Sequence, residues 1–259
     1  MDKSSSIVKI EAFSPKVKAL YTTRLGGHSH NQWASFNLGL HVEDDPQAVL
    51  NNRLDLEAYI RHKIVFMDQT HSNVVKFVGL DDLVDAKAML DGSIPISLGV
   101  KADGIVTDCT DIALAVLTAD CLPLLLASDD SKIIAAIHCG WRGIYGDIVK
   151  NAVDIIKSKT QSSISAYIGP CIGEKSFEVG ADLYQKFLAK NQDYQIAFKV
   201  KGDGKYLCSL DLLCSKQLNA LGIDNIYHSK LDTMDKNNQL YSYRLAKITG
   251  RMASVIYFS

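Results

Sequence analysis

Three stretches place side chains capable of metal or acid–base chemistry at the ends of apolar runs. DQTH closes on His71, LTADC on Cys121, and AAIHCGWRG carries His138, Cys139, Trp141 and Arg142 almost consecutively. A plain core strand has no packing use for an imidazole, a thiol, an indole and a guanidinium in succession, so a site is expected there. The spacing also selects a pairing. CLPLLLA (121–127) and KIIAAIH (132–138) flank Ser128-Asp129-Asp130-Ser131 and read as a hairpin. With Asp129-Asp130 at the centre of the turn, Cys121 lies directly opposite His138, their Cβ atoms about 4.5–5.5 Å apart. Cys139 then points to the other face, because side chains alternate along a strand.

His71 is the candidate third ligand. A Cys/His/His set gives Zn²⁺ three protein ligands and leaves a fourth position open, as in catalytic rather than structural zinc sites. Zinc there would lower the pKa of a bound water or polarise a substrate oxygen. The plainer alternative is that each histidine is a satisfied core or surface residue. GWRG precedes a helix whose first amides lack intrahelical partners and favour an anion. Arg142 adds a planar charged fork suited to phosphate or carboxylate, and TTRLGG offers Arg24 as a second anion contact. The alternative makes both arginines surface or ion-paired residues and the glycines simple turns. Asp103 and Asp120 sit at strand ends, where each can orient a metal-bound histidine, act as general acid or base, or merely cap backbone amides.

These residues need elements to position them. TTRLGGHSHNQWASFNLG (22–39) reads as a shaped loop, and Asp44-Asp45-Pro46 opens a helix with Val49, Leu50, Leu54 and Ala58 as its stripe, ending near Ile60. KIVFMDQTH (63–71) reads as a buried strand running into polar residues. GIVTD (104–108) and IALAVL (112–117) read as a second hairpin around DCTD. From Gly143, the residues Ile144, Ile148, Val149, Ala152, Val153 and Ile156 mark one amphipathic helix. A strand at 164–169, the turn GPCIG, a helix near 180–189 and a last strand at 253–258 follow. The pattern predicts an α+β (mixed α/β) fold, a layered single domain over residues 1–259 with mixed sheets and hairpins flanked by helices.

Bulk composition sets outer bounds. The chain has 259 residues, 47% hydrophobic and 22% charged, with a formal net charge of −1. That balance excludes a basic nucleic-acid surface and an anionic-membrane surface, so any anion site is local. The N-terminal MDKSSSIVKIEAF lacks an apolar core for a signal peptide, and the apolar stretch 112–127 is interrupted by Thr118, Asp120 and Pro123. Six cysteines without a CxxC spacing read as reduced thiols, and a cytoplasmic location is expected.

The motifs YTTRLGGHS, SFNLGLHVEDDPQAVLNNR, DQTHSNVV, ADGIVTD, LTADCLPLLLA, HCGWRG, IGPCIGEKSFEVG and TGRMAS resemble, in this order, the YfiH-like family. Its members are labelled polyphenol oxidases or laccase-domain proteins and are now viewed as purine nucleoside phosphorylases. The resemblance runs from about residue 20 to the C-terminus. It implies a catalytic zinc on His71, Cys121 and His138, with copper the alternative ion, and a substrate- or phosphate-binding set of Arg24, Asn37 and Arg142. It also implies phosphorolysis of adenosine, inosine, guanosine and S-methyl-5′-thioadenosine to ribose 1-phosphates and free bases, with associated adenosine deamination. The partners so implied are purine nucleosides and phosphate, acting on a monomer or small homo-oligomer. Two positions depart from the family pattern: Asp232 stands where a cysteine is usual before Thr233, and Leu245 where a second arginine usually follows Arg244.

Rival functions divide by chemistry. Copper laccase centres need many histidines, several as His-x-His, and of the seven here only His28-Ser29-His30 shows that pattern. A thiol hydrolase would use Cys121 as nucleophile and His138 as base. A peptidoglycan-precursor editing or binding protein would hold its ligand with a different turnover, or none.

Overall fold

The computed structural model describes residues 6–259, so the opening of the N-terminal stretch and of the 1–259 domain reading lies outside the described residues. Two mixed sheets lie face to face with helices on both outer sides. The first has five strands in the order Ile7–Ile10, Val17–Thr22, Met252–Phe258, Ile112–Thr118, Lys63–Val65. The second has six, in the order Ile226–His228, Ile164–Ile168, Leu122–Ser128, Ile134–Cys139, Gly104–Thr107, Val75–Phe77. Most neighbours are antiparallel, but Lys63–Val65 runs parallel to Ile112–Thr118, Val75–Phe77 to Gly104–Thr107 and Ile226–His228 to Ile164–Ile168. The mixed α/β expectation holds.

The central strands are apolar on both faces because both faces are covered. Leu114, Val116 and Ile256 of the first sheet pack against Ile105, Leu125, Ile134 and Ala136 of the second. The outer face of the first sheet meets Leu56 and Ile60 of the helix Pro46–Ile60, whose N-cap Asp45 accepts from Gln47 N with Pro46 as first helical residue. The outer face of the second meets Ile148, Val149, Ala152, Val153 and Ile156 of the helix Ile148–Lys159. That spacing puts all five on one stripe, each contributing about 1–3 kcal/mol of burial. Among the described residues no helix is long and apolar enough to cross a membrane.

Several local expectations are corrected. Gly104–Thr107 and Ile112–Thr118 do not form a hairpin: DCTD carries the chain from one sheet to the other, and Gly104–Thr107 pairs with Ile134–Cys139 instead. Turn residues are a local signal, whereas the partner strand is chosen by which sheet buries both faces of the run. The stretch 63–71 breaks into Lys63–Val65 and Met67–Asp68, the latter beside Val100–Lys101. The helix after Gly140 is two helices, Trp141–Tyr145 and Ile148–Lys159, interrupted where Asp147 adopts φ 64°. In Pro46–Ile60 the buried face is Val49, Leu50, Leu56 and Ile60, while Leu54 is half-buried against a side cluster with Met89, and Ala58 is exposed.

The hairpin Leu122–Ser128/Ile134–Cys139 is present, but its register differs by two residues. Ser128 N donates to Ile133 O, a longer turn than Asp129-Asp130 alone, and His138 pairs with Pro123 rather than Cys121. Cys121 therefore sits diagonally from His138, one step before the strand. A two-residue shift preserves the alternation, so both still occupy the face toward the first sheet, and Cys139 is buried on the helix side with Ile144.

Candidate metal centre and active site

Asp103 organises the site. It is fully buried just before the strand Gly104–Thr107, and its carboxylate accepts hydrogen bonds from two directions. Oδ2 accepts from Thr70 N at 3.2 Å, Ser72 N at 2.7 Å and Ser72 Oγ at 2.6 Å. Oδ1 accepts from His71 N at 3.0 Å and from His138 Nδ1 at 2.8 Å. These donors wrap the 70–72 loop around the carboxylate and hold His71 at φ 60°. They also hold the His138 Nδ1 proton, so Nε2 is the ring atom left free to face the other two side chains and to ligate once its own proton is displaced.

The ligand atoms of His71, Cys121 and His138 all lie within 4.8 Å of one another. Cys121 Sγ is 3.8 Å from His71 Nε2, and the two imidazole rings meet edge-to-face at 4.8 Å. Two ligands on one tetrahedral zinc, at its usual N and S bond lengths, are about 3.6 Å apart, so the spacing suits a shared ion. The electrostatics agree. Burial would push the Cys121 thiol up, but the imidazoles of His138 and His71 outweigh it and bring it down to about 6. Burial likewise opposes charge on His138, yet the Cys121 sulfur and the Asp103 carboxylate raise it to about 9. Asp103 is held down at about 2: desolvation opposes its charge, and the His138 and Ser72 hydrogen bonds overcome that. A thiolate and a carboxylate thus hold positive charge between them, and a metal ion can take the place of the proton. Gly140 permits the approach: a Cβ there would lie 3.2 Å from Cys121 Sγ and 3.3 Å from His71 Cδ2. Among the described residues this is the one group of three or more such ligands with metal-holding spacing.

Asp120, adjacent to the sulfur ligand, orients no histidine. Its Oδ1 accepts from Thr233 Oγ1 at 2.5 Å and its Oδ2 from Arg244 N at 2.6 Å, tying the C-terminal segment to the start of the strand Leu122–Ser128. Asp232 accepts from Gly173 N and Met234 N, both at 2.9 Å, and from Ser176 Oγ at 2.5 Å, so this departure from the family pattern fastens the GPCIG turn. Cys171 of that turn is buried, and desolvation pushes its thiol well up, as befits a packed thiol. Leu245 points to solvent at 47% exposure.

The metal group forms the floor of a cavity of about 560 Å³. That volume lies in the range of small-molecule sites. Trp141, Phe177, Tyr243 and Leu117 give it apolar walls, while Arg142, Arg244, Lys247 and Arg251 give it positive charge. Arg142 projects from the five-residue helix Trp141–Tyr145 and lies over the Trp141 ring at 4.4 Å. The other two expected substrate contacts sit elsewhere. Arg24 packs over Tyr241 at 5.0 Å and donates from Nε to Ala34 O at 3.0 Å, closing the 22–39 loop outside the cavity lining. Asn37 is fully buried; its Oδ1 accepts from Arg251 N at 2.8 Å and Gly39 N at 2.9 Å, so it acts on the cavity through Arg251. Arg251, Arg244 and Lys247 were not among the expected site residues. Arg251 lies in TGRMAS, a motif of the family resemblance, and Arg244 precedes the Leu245 departure, yet spacing alone gave them no signal.

Comparison with known proteins places this geometry among relatives. Residues 18–259 match the family described as multi-copper polyphenol oxidoreductase laccase. A Haemophilus influenzae protein named purine nucleoside phosphorylase is 36% identical over 247 residues, covering 93% of this chain and 94% of the relative. The Escherichia coli purine nucleoside phosphorylase YfiH is 34% identical over 244 residues, with 93% of each covered. Among solved structures, Bacillus licheniformis hypothetical protein YfiH superposes with a TM-score of 0.89 at 31% identity, over 98% of this chain and 97% of that one. The Neisseria meningitidis protein NMB0706 gives 0.86 at 34% identity, over 98% and 99%.

Proposed function

The chain belongs to the family described as multi-copper polyphenol oxidoreductase laccase, with curated relatives named purine nucleoside phosphorylase, and on that footing we propose that it is a zinc-dependent purine nucleoside phosphorylase. Its substrates are adenosine, inosine, guanosine and S-methyl-5′-thioadenosine, each cleaved by phosphate to a ribose 1-phosphate and a free base. Hydrolytic removal of the adenosine amino group, water in and ammonia out, is the associated activity. The observation that carries this reading is the meeting, in one cavity of nucleoside size, of a three-ligand cluster and arginines that form no ion pair among the described residues. The site draws on residues from His41 to Arg251, in keeping with one catalytic domain. The reduced, free cysteines suit a cytoplasmic enzyme.

His71, Cys121 and His138 would hold the ion, which when bound supplies Lewis-acid chemistry. Arg142 and Arg251 border the cluster and suit the attacking phosphate, placing its oxygen toward the anomeric carbon. That oxygen forms the new C1′–O bond as the C1′–N9 bond breaks, the electron pair leaving with the purine, which then takes a proton. Trp141, Phe177 and Tyr243 exclude water around the base and sugar, so that phosphate rather than water attacks. Asp103 keeps His138 in the ligating tautomer throughout.

Incubation with inosine and phosphate, followed by detection of hypoxanthine, tests the proposal. Full metal loading with no base released from any purine nucleoside would sink it. A copper oxidase reading draws on the two-histidine, one-cysteine donor set, which copper also accepts. Elemental analysis and a phenol oxidation assay separate the two, since the phosphorylase should carry zinc and leave phenols unchanged.

A further inference from the structure

Four cations line the cavity against one carboxylate, Asp120, and that carboxylate is already engaged by Thr233 Oγ1 and Arg244 N. The cations rest on neutral partners. Arg251 donates to Thr249 O and Gly250 O at 3.0 Å each. Arg244 donates to Glu178 O at 3.3 Å and lies over Phe177 at 5.4 Å. Arg142 lies over Trp141 at 4.4 Å and Lys247 over Tyr243 at 4.8 Å. A cation on a ring face or a carbonyl keeps most of its charge available to an incoming anion.

They fall into two groups. Arg142 and Arg251 border the metal cluster: Arg142 follows Gly140, which lies against Cys121 and His71, and the charge of Arg251 acts on Cys121. Arg244 and Lys247 belong to an exposed rim segment with Tyr243. A phosphoryl group carries about −1.5 to −2 charges near neutral pH, which the first pair offsets. The rim pair is left over. Being exposed, that pair stays hydrated and free to meet a second anion entering the mouth.

We propose that Arg244 and Lys247 form a second anion subsite, and that the cavity takes purine nucleoside 5′-monophosphates with their phosphate on this rim. The choice of base and sugar rests on the phosphorylase reading; the second anion rests on the charge arrangement alone. With the anomeric carbon at the metal floor, C5′ projects across the ring oxygen, so its substituent reaches toward the mouth, where the rim stands.

Calorimetric titration of the metal-loaded protein with inosine and with inosine 5′-monophosphate, each with and without saturating inorganic phosphate, tests this. The monophosphate should bind about tenfold more tightly than inosine, as expected for charge-assisted contacts. That advantage should persist in saturating phosphate and shrink with added salt. Lys247→Met and Arg244→Met should each reduce it several-fold, with melting temperature recorded to confirm folding; Lys247 is exposed, so its variant keeps the fold. Equal affinities, an advantage abolished by phosphate, or an advantage indifferent to both variants would each overturn the proposal. Rim-dependent binding without inosine cleavage would remove the phosphorylase reading and leave the subsite, whereas cleavage without any advantage would do the reverse.

Discussion

The Asp103 carboxylate accepts the Nδ1 proton of His138 at 2.8 Å, and the backbone O of the same aspartate accepts the His138 amide at 2.7 Å. One residue thus fixes both the ring and the main chain of a candidate ligand, while its side chain also gathers the amides of Thr70, His71 and Ser72. Two ligands that are far apart in sequence are brought into register by one buried charge.

Asp103→Asn keeps an acceptor for His138 but loses the charge. Metal affinity should fall about 10–100-fold, measured by competition with a chromogenic chelator. Asp103→Ala leaves buried donors unpaired and should also destabilise the protein by about 3–5 kcal/mol in denaturant unfolding.

Cys121→Ala should abolish stoichiometric metal in elemental analysis and with it nucleoside cleavage. Chelation of the wild type should do the same, with zinc restoring activity. Activity that survives the chelator but not a thiol-alkylating reagent would mark a cysteine hydrolase instead.

Arg251→Met and Arg24→Met should separate by readout. The first removes a cation from the cavity and should raise the KM for phosphate roughly tenfold to a hundredfold. Arg24 lies over Tyr241 outside the cavity, so its variant should lower stability by about 1–2 kcal/mol with far less change in that KM. Equal effects on phosphate KM would show that the loop carrying Arg24 contributes directly to the anion site.

Gly140→Ala places a Cβ 3.2 Å from Cys121 Sγ and 3.3 Å from His71 Cδ2. The sulfur and the ring must give by a few tenths of an ångström, so metal affinity should drop several-fold while the melting temperature shifts little. A metal titration identical to wild type would show that the cluster has slack at this point.

The candidate cluster was legible because an imidazole or thiol at the end of an apolar run is costly without a partner. His71, Cys121 and His138 each stand at such an end, and alternation alone separated Cys121 from Cys139. The register inferred from Asp129-Asp130 was two residues off, since Ser128 and Ile133 close a longer turn, yet an even shift leaves the faces unchanged. A one-residue error would have inverted the conclusion. The passage of DCTD between sheets was not legible, because a turn signal does not say which strand the chain pairs with next. Arg244 and Lys247 escaped for a related reason: they sit in a segment without regular secondary structure, where no periodicity assigns a side. Arg24 reads as an anion contact by composition; its place over the Tyr241 ring, 217 positions along the chain and outside the cavity lining, carried no sequence signal.

Asp120 holds the rim through Arg244 N and adjoins the residue that supplies sulfur to the floor. Floor and rim therefore share one mechanical link, and linkage between them must run equally both ways. Whatever factor an ion adds to the affinity of a ligand at the mouth, that ligand returns to the ion.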